Sequence, residues 1–123
     1  MLAKELEIYK QRYKLLNIVL DAREHFPKAY KYAFGEKLMM IGIECCELIQ
    51  LANSTWDAER VHYLEQFSLK FESLNLMLLI CRDRRLINES RFCDILELTE
   101  SIGSQATGWR KYEHNKPECK SAR

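Results

Sequence analysis

The stretch that decides the fold reads HFPKAYKYAFG and occupies residues 25–35. Its proline, Pro27, separates two long segments with helical periodicity. Proline fixes its own backbone angle and pushes the preceding residue away from helical dihedrals, so we expect one helix to end near His25. The same residue suits the first turn of a helix, so a second helix should open just past it. The stretch therefore predicts two long helices joined by a tight turn.

The composition of the rest of the chain favours long helices throughout. Its 123 residues have the length of one domain and contain only 4 glycines and 2 prolines. So few helix-breaking and turn-forming residues are typical of a few long helices and not of many short strands. With 47% hydrophobic and 30% charged residues, the chain resembles an ordinary soluble globular protein. No apolar run reaches the roughly 20 residues of a transmembrane helix.

The cysteines and the N-terminal segment point to a reducing compartment. Five cysteines are present, an odd number, with no CxxC pair and no spacing typical of a zinc site. The first residues are too charged to form a secretory signal peptide. We therefore expect a cytoplasmic protein whose cysteines act as small core hydrophobes.

Four segments carry apolar residues at alternating spacings of three and four, which predicts four amphipathic helices. The predicted core stripes are Leu2, Leu6, Tyr9, Tyr13, Leu16 and Leu20; Phe34, Leu38, Ile41, Cys45, Leu48 and Ala52; Leu64, Phe67, Phe71, Leu74, Leu78 and Cys81; and Phe92, Ile95, Thr99, Ile102, Ala106 and Trp109. Short links favour antiparallel neighbours. The predicted fold is all-α, an antiparallel up-down-up-down four-helix bundle over residues 1–112, and residues 113–123 are predicted to be a disordered basic tail.

Three local features refine this prediction. Gly35 and Gly42 lie inside the second helix, where each costs about 1 kcal/mol against alanine, so we expect a neighbouring helix to approach closely there. Asn88 is expected to cap the fourth helix. Residues 76–80 make the end of the third helix apolar nearly all round. A lone bundle has no need of that surplus, which indicates an oligomer interface.

A basic patch is predicted at one end of the bundle, where the first and third turns meet in the up-down-up-down topology. Residues 21–31 and 82–91 together contain seven basic and four acidic side chains, although the whole chain carries a net charge of only +1. Arginine and lysine held in this way can bind phosphates, and Tyr30 and Tyr32 could stack on unpaired bases. The candidate nucleic-acid-binding residues are Lys28, Lys31, Arg82, Arg84, Arg85 and Arg91. The alternative is a solvated bundle end whose arginines pair with nearby acids.

Signs of catalysis are weak. Glu59 and His62 form an E-x-x-H, the spacing of di-iron bundles, but no second copy of that motif accompanies them. There is no Gly-rich phosphate loop, no nucleophile elbow and no Cys/His constellation. We therefore predict no enzyme activity, no metal and no cofactor.

The second half of the opening stretch carries a family resemblance. Phe26-Pro27-Lys28-x-x-Lys31-Tyr32-x-x-Gly35, followed by a long apolar helix that ends at Ala52-Asn53, resembles a bacterial family of small four-helix bundles. That family includes proteins encoded within 23S rRNA intervening sequences and the accessory variability determinant (Avd) of diversity-generating retroelements. The resemblance covers about residues 5 to 112.

The resemblance implies a homopentamer with a basic, nucleic-acid-binding surface. For the retroelement branch it also implies association with a reverse transcriptase and its template RNA. The near-neutral charge of this chain departs from the strongly basic character expected of Avd and favours the intervening-sequence branch. The leading hypothesis is thus a non-enzymatic, oligomeric accessory protein that binds RNA or DNA and makes no use of a membrane. The alternative hypothesis is a helical scaffold that binds a polypeptide and no nucleic acid.

Overall fold

The computed structural model describes the backbone of residues 3–116 and the side chains of residues 7–116. Within that range the chain forms four long helices and one short one. They are α1 (Ala3–Glu24), α2 (Lys28–Lys31), α3 (Ala33–Asn53), α4 (Asp57–Asp83) and α5 (Glu89–His114). The predicted helix break at Pro27 is confirmed. The second predicted helix, however, begins with the short α2, and Tyr32 separates α2 from α3.

The four long helices form a square bundle, as predicted. α1 packs against α3 and α5, and α4 packs against the same two helices. Two contacts between sequence-distant residues show that α1 and α3 run antiparallel. Arg12, in the middle of α1, donates a hydrogen bond to the Cys46 carbonyl in the second half of α3. Arg23, near the C-terminal end of α1, contacts Glu36 near the start of α3. Because α1 and α4 each pack against both α3 and α5, the side formed by α1 and α3 lies opposite the side formed by α4 and α5.

Three of the four predicted core stripes are confirmed. In α4 all six predicted residues are buried, and in α5 five are buried while Trp109 is half-buried. In α3 four are buried, and Phe34 and Leu48 pack half-buried against the core. The large side chains with the least exposure are Phe67, Ile8, Leu38, Ile49, Leu64 and Leu74.

The stripe predicted for the first helix is wrong except at Tyr9, which packs half-buried against the core. The buried face of α1 consists of Ile8, Leu15, Val19 and Ala22, whereas Tyr13 is 68% exposed. Leu16, which lies beside Gly42 of α3, and Leu20 are half-buried, and Leu2 and Leu6 lie outside the described side chains. The periodicity misled because α1 has two apolar faces, and the one that faces the core is interrupted.

The interruption on the core face of α1 is polar. Arg12 lies between Ile8 and Leu15, and its Nη1 donates to the Cys46 carbonyl at 2.9 Å. Its guanidinium also stacks 4.3 Å from the centre of the Tyr9 ring. The neighbouring Gln11 accepts hydrogen bonds from Ser101 and Gln105 of α5. These polar contacts fix the register of α1 against α3 and α5.

Both interior glycines of α3 face α1, which confirms the predicted close approach. A Cβ on Gly42 would lie 3.2 Å from Leu16 Cδ1. On Gly35 it would lie 3.0 Å from Arg23 Cγ and 3.1 Å from the Tyr30 carbonyl oxygen. A larger side chain should be tolerated less well at Gly35 than at Gly42, because the backbone oxygen of Tyr30 cannot move aside as a leucine methyl can.

We expect Gly35→Ala to destabilise the protein and Gly108→Ala to stabilise it. The added methyl at position 35 displaces Arg23, which should cost about 1–2 kcal/mol beyond any gain in helix propensity. Gly108 also lies in a helix, but a Cβ there would meet nothing within 4 Å, so alanine should add about 0.5–1 kcal/mol. Urea unfolding of both variants measures the two effects. Equal effects on the free energy of unfolding would contradict the close approach at Gly35.

Two findings bear on the ends and the surface of the chain. α5 runs through His114, and Glu113 in its last turn is only 4% exposed, so the bundle extends beyond the predicted boundary at residue 112. The rest of the predicted disordered tail, residues 117–123, lies outside the described residues. Within the described part of the chain, no helix combines the length and the apolar character needed to cross a membrane.

Candidate nucleic-acid interface

The two turns that carry the predicted basic residues meet at one end of the bundle. A surface cavity there is lined jointly by residues from the end of α1 and from the start of α5. The residues that line it are Ala22, His25, Leu86, Ile87, Asn88 and Arg91. We call this region the basic end; it comprises residues 21–37 and 82–91.

Lys28 and Lys31 form the first part of the basic end. Both lie on α2, a single helical turn that the Pro27 carbonyl closes by accepting from Tyr30 N and Lys31 N at 2.9 Å each. Lys28 is exposed and Lys31 is half-buried. Because the proline fixes where α2 begins, both lysines are presented from an ordered turn.

Arg82, Arg84 and Arg85 form the second part, at the C-terminus of α4. Leu86 N donates to the Cys81 carbonyl at 2.8 Å and Arg85 N to the Arg82 carbonyl at 3.0 Å. This pair of bonds is a Schellman motif, the arrangement that commonly ends a helix. It places Arg85 at the position that usually takes glycine, and the residue has a φ of +58°. All three arginines are exposed.

Arg91, the last of the predicted residues, lies in the first turn of α5. The predicted cap is confirmed, since the Asn88 side-chain oxygen accepts from Arg91 N at 2.7 Å. The Arg91 side chain is half-buried. Among the described residues, no carboxylate lies within ion-pair distance of its guanidinium.

Not every cation at the basic end is available to a ligand. Arg23 is half-buried, donates from Nε to the Lys31 carbonyl at 3.0 Å and contacts Glu36 at 3.9 Å. Its role is to hold α1, α2 and α3 together. Arg82 contacts Asp83 at 3.0 Å and lies 5.2 Å from the centre of the Phe92 ring. Arg84 and Arg85 have no such contacts with described residues, so they are the most accessible cations of the turn.

The aromatic residues of the opening stretch divide between packing and surface. Phe26 is buried, and Tyr30 packs edge-on against Phe34 with ring centres 6.4 Å apart. Tyr32 is 53% exposed. Of the two tyrosines predicted as stacking surfaces, Tyr32 is therefore the accessible one.

The residues considered for metal or nucleophilic chemistry do not form a site. Burial raises the pKa of the Cys45 thiol to about 12 and that of Cys81 to about 11, so both stay protonated at neutral pH. Burial also raises the pKa of Cys46, against the opposing effect of Arg12. His62 is exposed and lies edge-on to Tyr63. In the described residues, no group of three or more His, Cys, Asp or Glu side chains could hold a metal ion.

Sequence reasoning missed two contributors to the basic end. His25 lines the cavity and its Nδ1 lies 3.0 Å from the Asp21 carbonyl, whereas the sequence suggested only a helix end there. Asn88 was expected only as a cap, yet it lines the same cavity. Neither role has a local signal, because the cavity forms only when the ends of α1 and α5 come together.

Comparison with known proteins identifies a matching family. A family model described as bAvd-like matches residues 6–113, which span all four long helices. No curated protein is significantly similar to the chain.

Proposed function

The chain belongs to the bAvd-like family, and on that premise we propose that it is a non-enzymatic, oligomeric accessory protein of the cytoplasm that binds RNA or DNA. Phosphates bind at the basic end, through Lys28, Lys31, Arg82, Arg84, Arg85 and Arg91. No chemical step is required of the protein, and no metal or cofactor takes part.

The observation that carries this proposal is the collection of exposed cations at one bundle end. Arg23 and Glu36 neutralise each other. Seven basic side chains then remain in residues 21–37 and 82–91, against only four acidic ones, Asp21, Glu24, Asp83 and Glu89. Because arginine offers a planar fork to phosphate oxygens, even this modest excess favours a polyanion over a small neutral ligand.

The backbone of Arg85 supports the same proposal. A side chain in the left-handed region costs roughly 1–2 kcal/mol, which glycine avoids. Arg85 occupies that region in a motif where glycine would be the stable choice. Such strain commonly accompanies a functional side chain, and here the side chain is an exposed cation.

We expect Arg85→Gly to stabilise the protein while weakening its binding of nucleic acid. The substitution relieves the left-handed strain and should raise the free energy of unfolding by about 1 kcal/mol. It also removes one phosphate contact, which should lower affinity several-fold at about 0.1 M salt. Thermal unfolding and fluorescence anisotropy with a labelled structured RNA measure the two effects. A variant that is more stable and binds as tightly as the wild type would remove Arg85 from the site.

The proposed oligomer rests on two apolar surfaces. One is the α4/α5 groove, a cavity of about 560 Å³ floored by Phe71 and Leu78 and bordered by Leu79 and Leu96. Leu76 beside it is 60% exposed. The apolar surplus noted in residues 76–80 thus borders an open groove and leaves apolar area uncovered, as expected of an interface.

The second surface is the α1/α3 face, which we define as Tyr9, Tyr13, Leu16, Leu20, Met39 and Ile43. It contains the described part of the stripe that the sequence predicted for α1, of which Tyr9 also packs against the core. Tyr13 is exposed and Ile43 is 37% exposed. A regular three-four stripe at the edge of the core, with Tyr13 exposed, resembles the seam that one helix presents to another. The α1/α3 face is therefore a surface for helix packing.

The two surfaces lie on opposite sides of the bundle and differ in composition, so we propose that one copy docks its α1/α3 face onto the α4/α5 groove of the next. Such head-to-tail contacts close into a ring when the rotation permits. A ring of five is the assembly that the family resemblance implies. Any closed ring carries its basic ends on one circle, and several weak phosphate sites then act together. This multivalency accounts for binding by a chain with a net charge of +1.

Removal of the turn arginines tests the proposed function. We expect Arg82/Arg84/Arg85→Ala to bind structured RNA or DNA about 10- to 100-fold more weakly than the wild type at 0.1 M salt, because three phosphate contacts are lost. The control is Lys10/Lys14/Lys111→Ala, which removes the same charge from exposed positions outside the basic end. Equal losses in the two variants would contradict the assignment, since non-specific charge would then explain binding.

A second candidate function, a protein-interaction scaffold, is favoured by the α4/α5 groove alone. An apolar groove between two helices can accept an amphipathic helix of another protein. The reverse transcriptase implied by the retroelement branch would be one such partner. This function predicts a monomeric chain with no affinity for nucleic acid at low salt, so light scattering and a binding titration separate it from the first.

A further inference from the structure

The cavity at the basic end is a defined pocket between two helix ends. It has a volume of about 230 Å³ and lies between the last turn of α1 and the first turn of α5. We call it the notch. Two of its lining residues, Ala22 and Ile87, are buried at 4% and 8% exposure, and they give it an apolar floor. The Schellman motif fixes the backbone at Leu86, so this wall is ordered before any ligand arrives.

The polar groups of the notch suit an anion. Arg91 lines it, and among the described residues its guanidinium contacts no carboxylate. Its neighbour Asn88 uses the side-chain oxygen for the helix cap, which leaves the amide NH₂ as a donor. Among the residues that the structure describes, no acidic side chain lines the notch. Each polar side chain here can therefore donate a hydrogen bond, and a half-buried arginine without a counter-ion favours a negatively charged ligand.

His25 supplies the third polar group. Its Nδ1 lies 3.0 Å from the Asp21 carbonyl oxygen. Because a carbonyl oxygen can only accept, this contact places a hydrogen on Nδ1 and fixes the ring against the helix. Nε2 is left for a ligand: it donates to a phosphate oxygen from the protonated ring, or accepts from the proton of a terminal or inorganic phosphate, a proton that an internal phosphodiester lacks.

We propose that the notch binds a single phosphate group, held by the Arg91 guanidinium, the Asn88 amide and the His25 imidazole. The inference rests on the proposed function, since the phosphate would belong to a bound nucleic acid. It adds His25 and Asn88 to the site and separates a shaped pocket from the exposed arginines around it. Arg82, Arg84 and Arg85 attract the strand, whereas the notch fixes the position of one phosphate. That phosphate is either the terminal phosphate of a strand or an internal one.

The test compares three ligands on the full chain and two variants. The ligands are inorganic phosphate, followed by ³¹P NMR, and one labelled oligonucleotide with either a 5′-phosphate or a 5′-hydroxyl, followed by anisotropy. The variants are Arg91→Gln and His25→Gln. The control is Arg110→Gln, which removes a half-buried arginine from the opposite end of the same helix. Circular dichroism verifies that all three fold.

We expect Arg91→Gln to weaken oligonucleotide binding about tenfold and His25→Gln to weaken it several-fold, while Arg110→Gln changes nothing. A loss confined to the 5′-phosphorylated strand identifies a terminal phosphate, and an equal loss for both strands identifies an internal one. If Arg91→Gln and His25→Gln bind as the wild type does while Arg82/Arg84/Arg85→Ala does not, the notch is excluded and the proposed function stands. If the wild type binds no oligonucleotide, the proposed function fails, and inorganic phosphate alone then tests the notch. The notch is excluded if the wild type gives no ³¹P response to phosphate, or if Arg91→Gln gives the same response as the wild type.

Discussion

Glu113→Ala should lower the free energy of unfolding by about 3 kcal/mol, because it breaks a buried ion pair and leaves a cation without its partner. The Glu113 side chain is 3% exposed, and its Oε2 lies 3.4 Å from Arg60 Nη1. Lys116 contacts the other carboxylate oxygen, also at 3.4 Å. For a chain of this length the loss corresponds to a fall in Tm of roughly 10 °C.

The cost is large because Arg60 holds three helices together. Its Nε donates to the Ala52 carbonyl at 2.8 Å and its Nη2 to the Asn53 carbonyl at 3.3 Å. Both carbonyls belong to the last turn of α3, where no residue further along the helix donates to them in the regular i+4 pattern; the Ala52 carbonyl also accepts from Thr55 Oγ1 at 3.3 Å. The guanidinium also lies 5.4 Å from the centre of the Trp109 ring. Loss of Glu113 therefore disturbs the junction of α3, α4 and α5 at the end opposite the basic end.

The matched control is Glu44→Ala. Glu44 and Lys70 also lie 3.4 Å apart, but their side chains are 42% and 46% exposed. Water screens such a pair, so its loss should change stability by less than about 1 kcal/mol. Chemical denaturation of the two variants compares the loss of a buried ion pair with the loss of an exposed one, at the same distance between the charged atoms. Similar small losses in both would contradict the structural role assigned to Glu113.

The second large effect is expected when two differently damaged chains are mixed. Tyr13→Glu/Ile43→Glu places charges on the α1/α3 face, and Leu76→Glu/Leu96→Glu places them at the α4/α5 groove. All four positions are exposed, so both variants should fold. Each charge left in an apolar contact should cost about 2 kcal/mol or more, enough to make each variant monomeric at micromolar concentration.

The mixture distinguishes a head-to-tail contact from a symmetric one. Each variant retains one intact surface, and in a head-to-tail assembly these two surfaces are complementary. A 1:1 mixture should therefore form a heterodimer and nothing larger, as measured by light scattering after size-exclusion chromatography. A mixture that stays monomeric would contradict the pairing of these two surfaces, and a wild type that is itself monomeric would contradict self-association.

The bundle could be predicted because most of its determinants are local. In α3, α4 and α5 the regular three-four stripe coincides with the buried face, although each helix also carries exposed apolar residues such as Ile43, Leu76 and Leu96. The short links then bring Lys28 and Arg84 to the same end. In α1 the periodicity misleads, because Arg12 interrupts the core face while the uninterrupted stripe through Tyr13 lies at the edge of the core and is partly exposed. A regular stripe indicates a surface for packing and does not say which partner it packs against.

The details of the site could not be predicted because they depend on residues far apart in sequence. Glu113 looks like the start of a polar tail until Arg60, 53 residues away, is placed beside it. Arg85 gives no sign of its left-handed backbone, since glycine is the residue that normally reports that conformation. The notch forms only when the C-terminal end of α1 and the N-terminal end of α5 lie side by side. Each of these features follows from tertiary contacts that no local pattern records.

The most direct test of the central claim is the salt dependence of nucleic-acid binding. The wild type should bind a structured RNA or a DNA duplex, and the logarithm of its association constant should fall linearly with the logarithm of the salt concentration. Since each neutralised phosphate contributes a slope of about 0.7–0.9, Arg82/Arg84/Arg85→Ala should reduce that slope by about 2 to 3 per bound protomer. The same slope in both proteins, or no binding by the wild type at low salt, would contradict a phosphate-binding basic end.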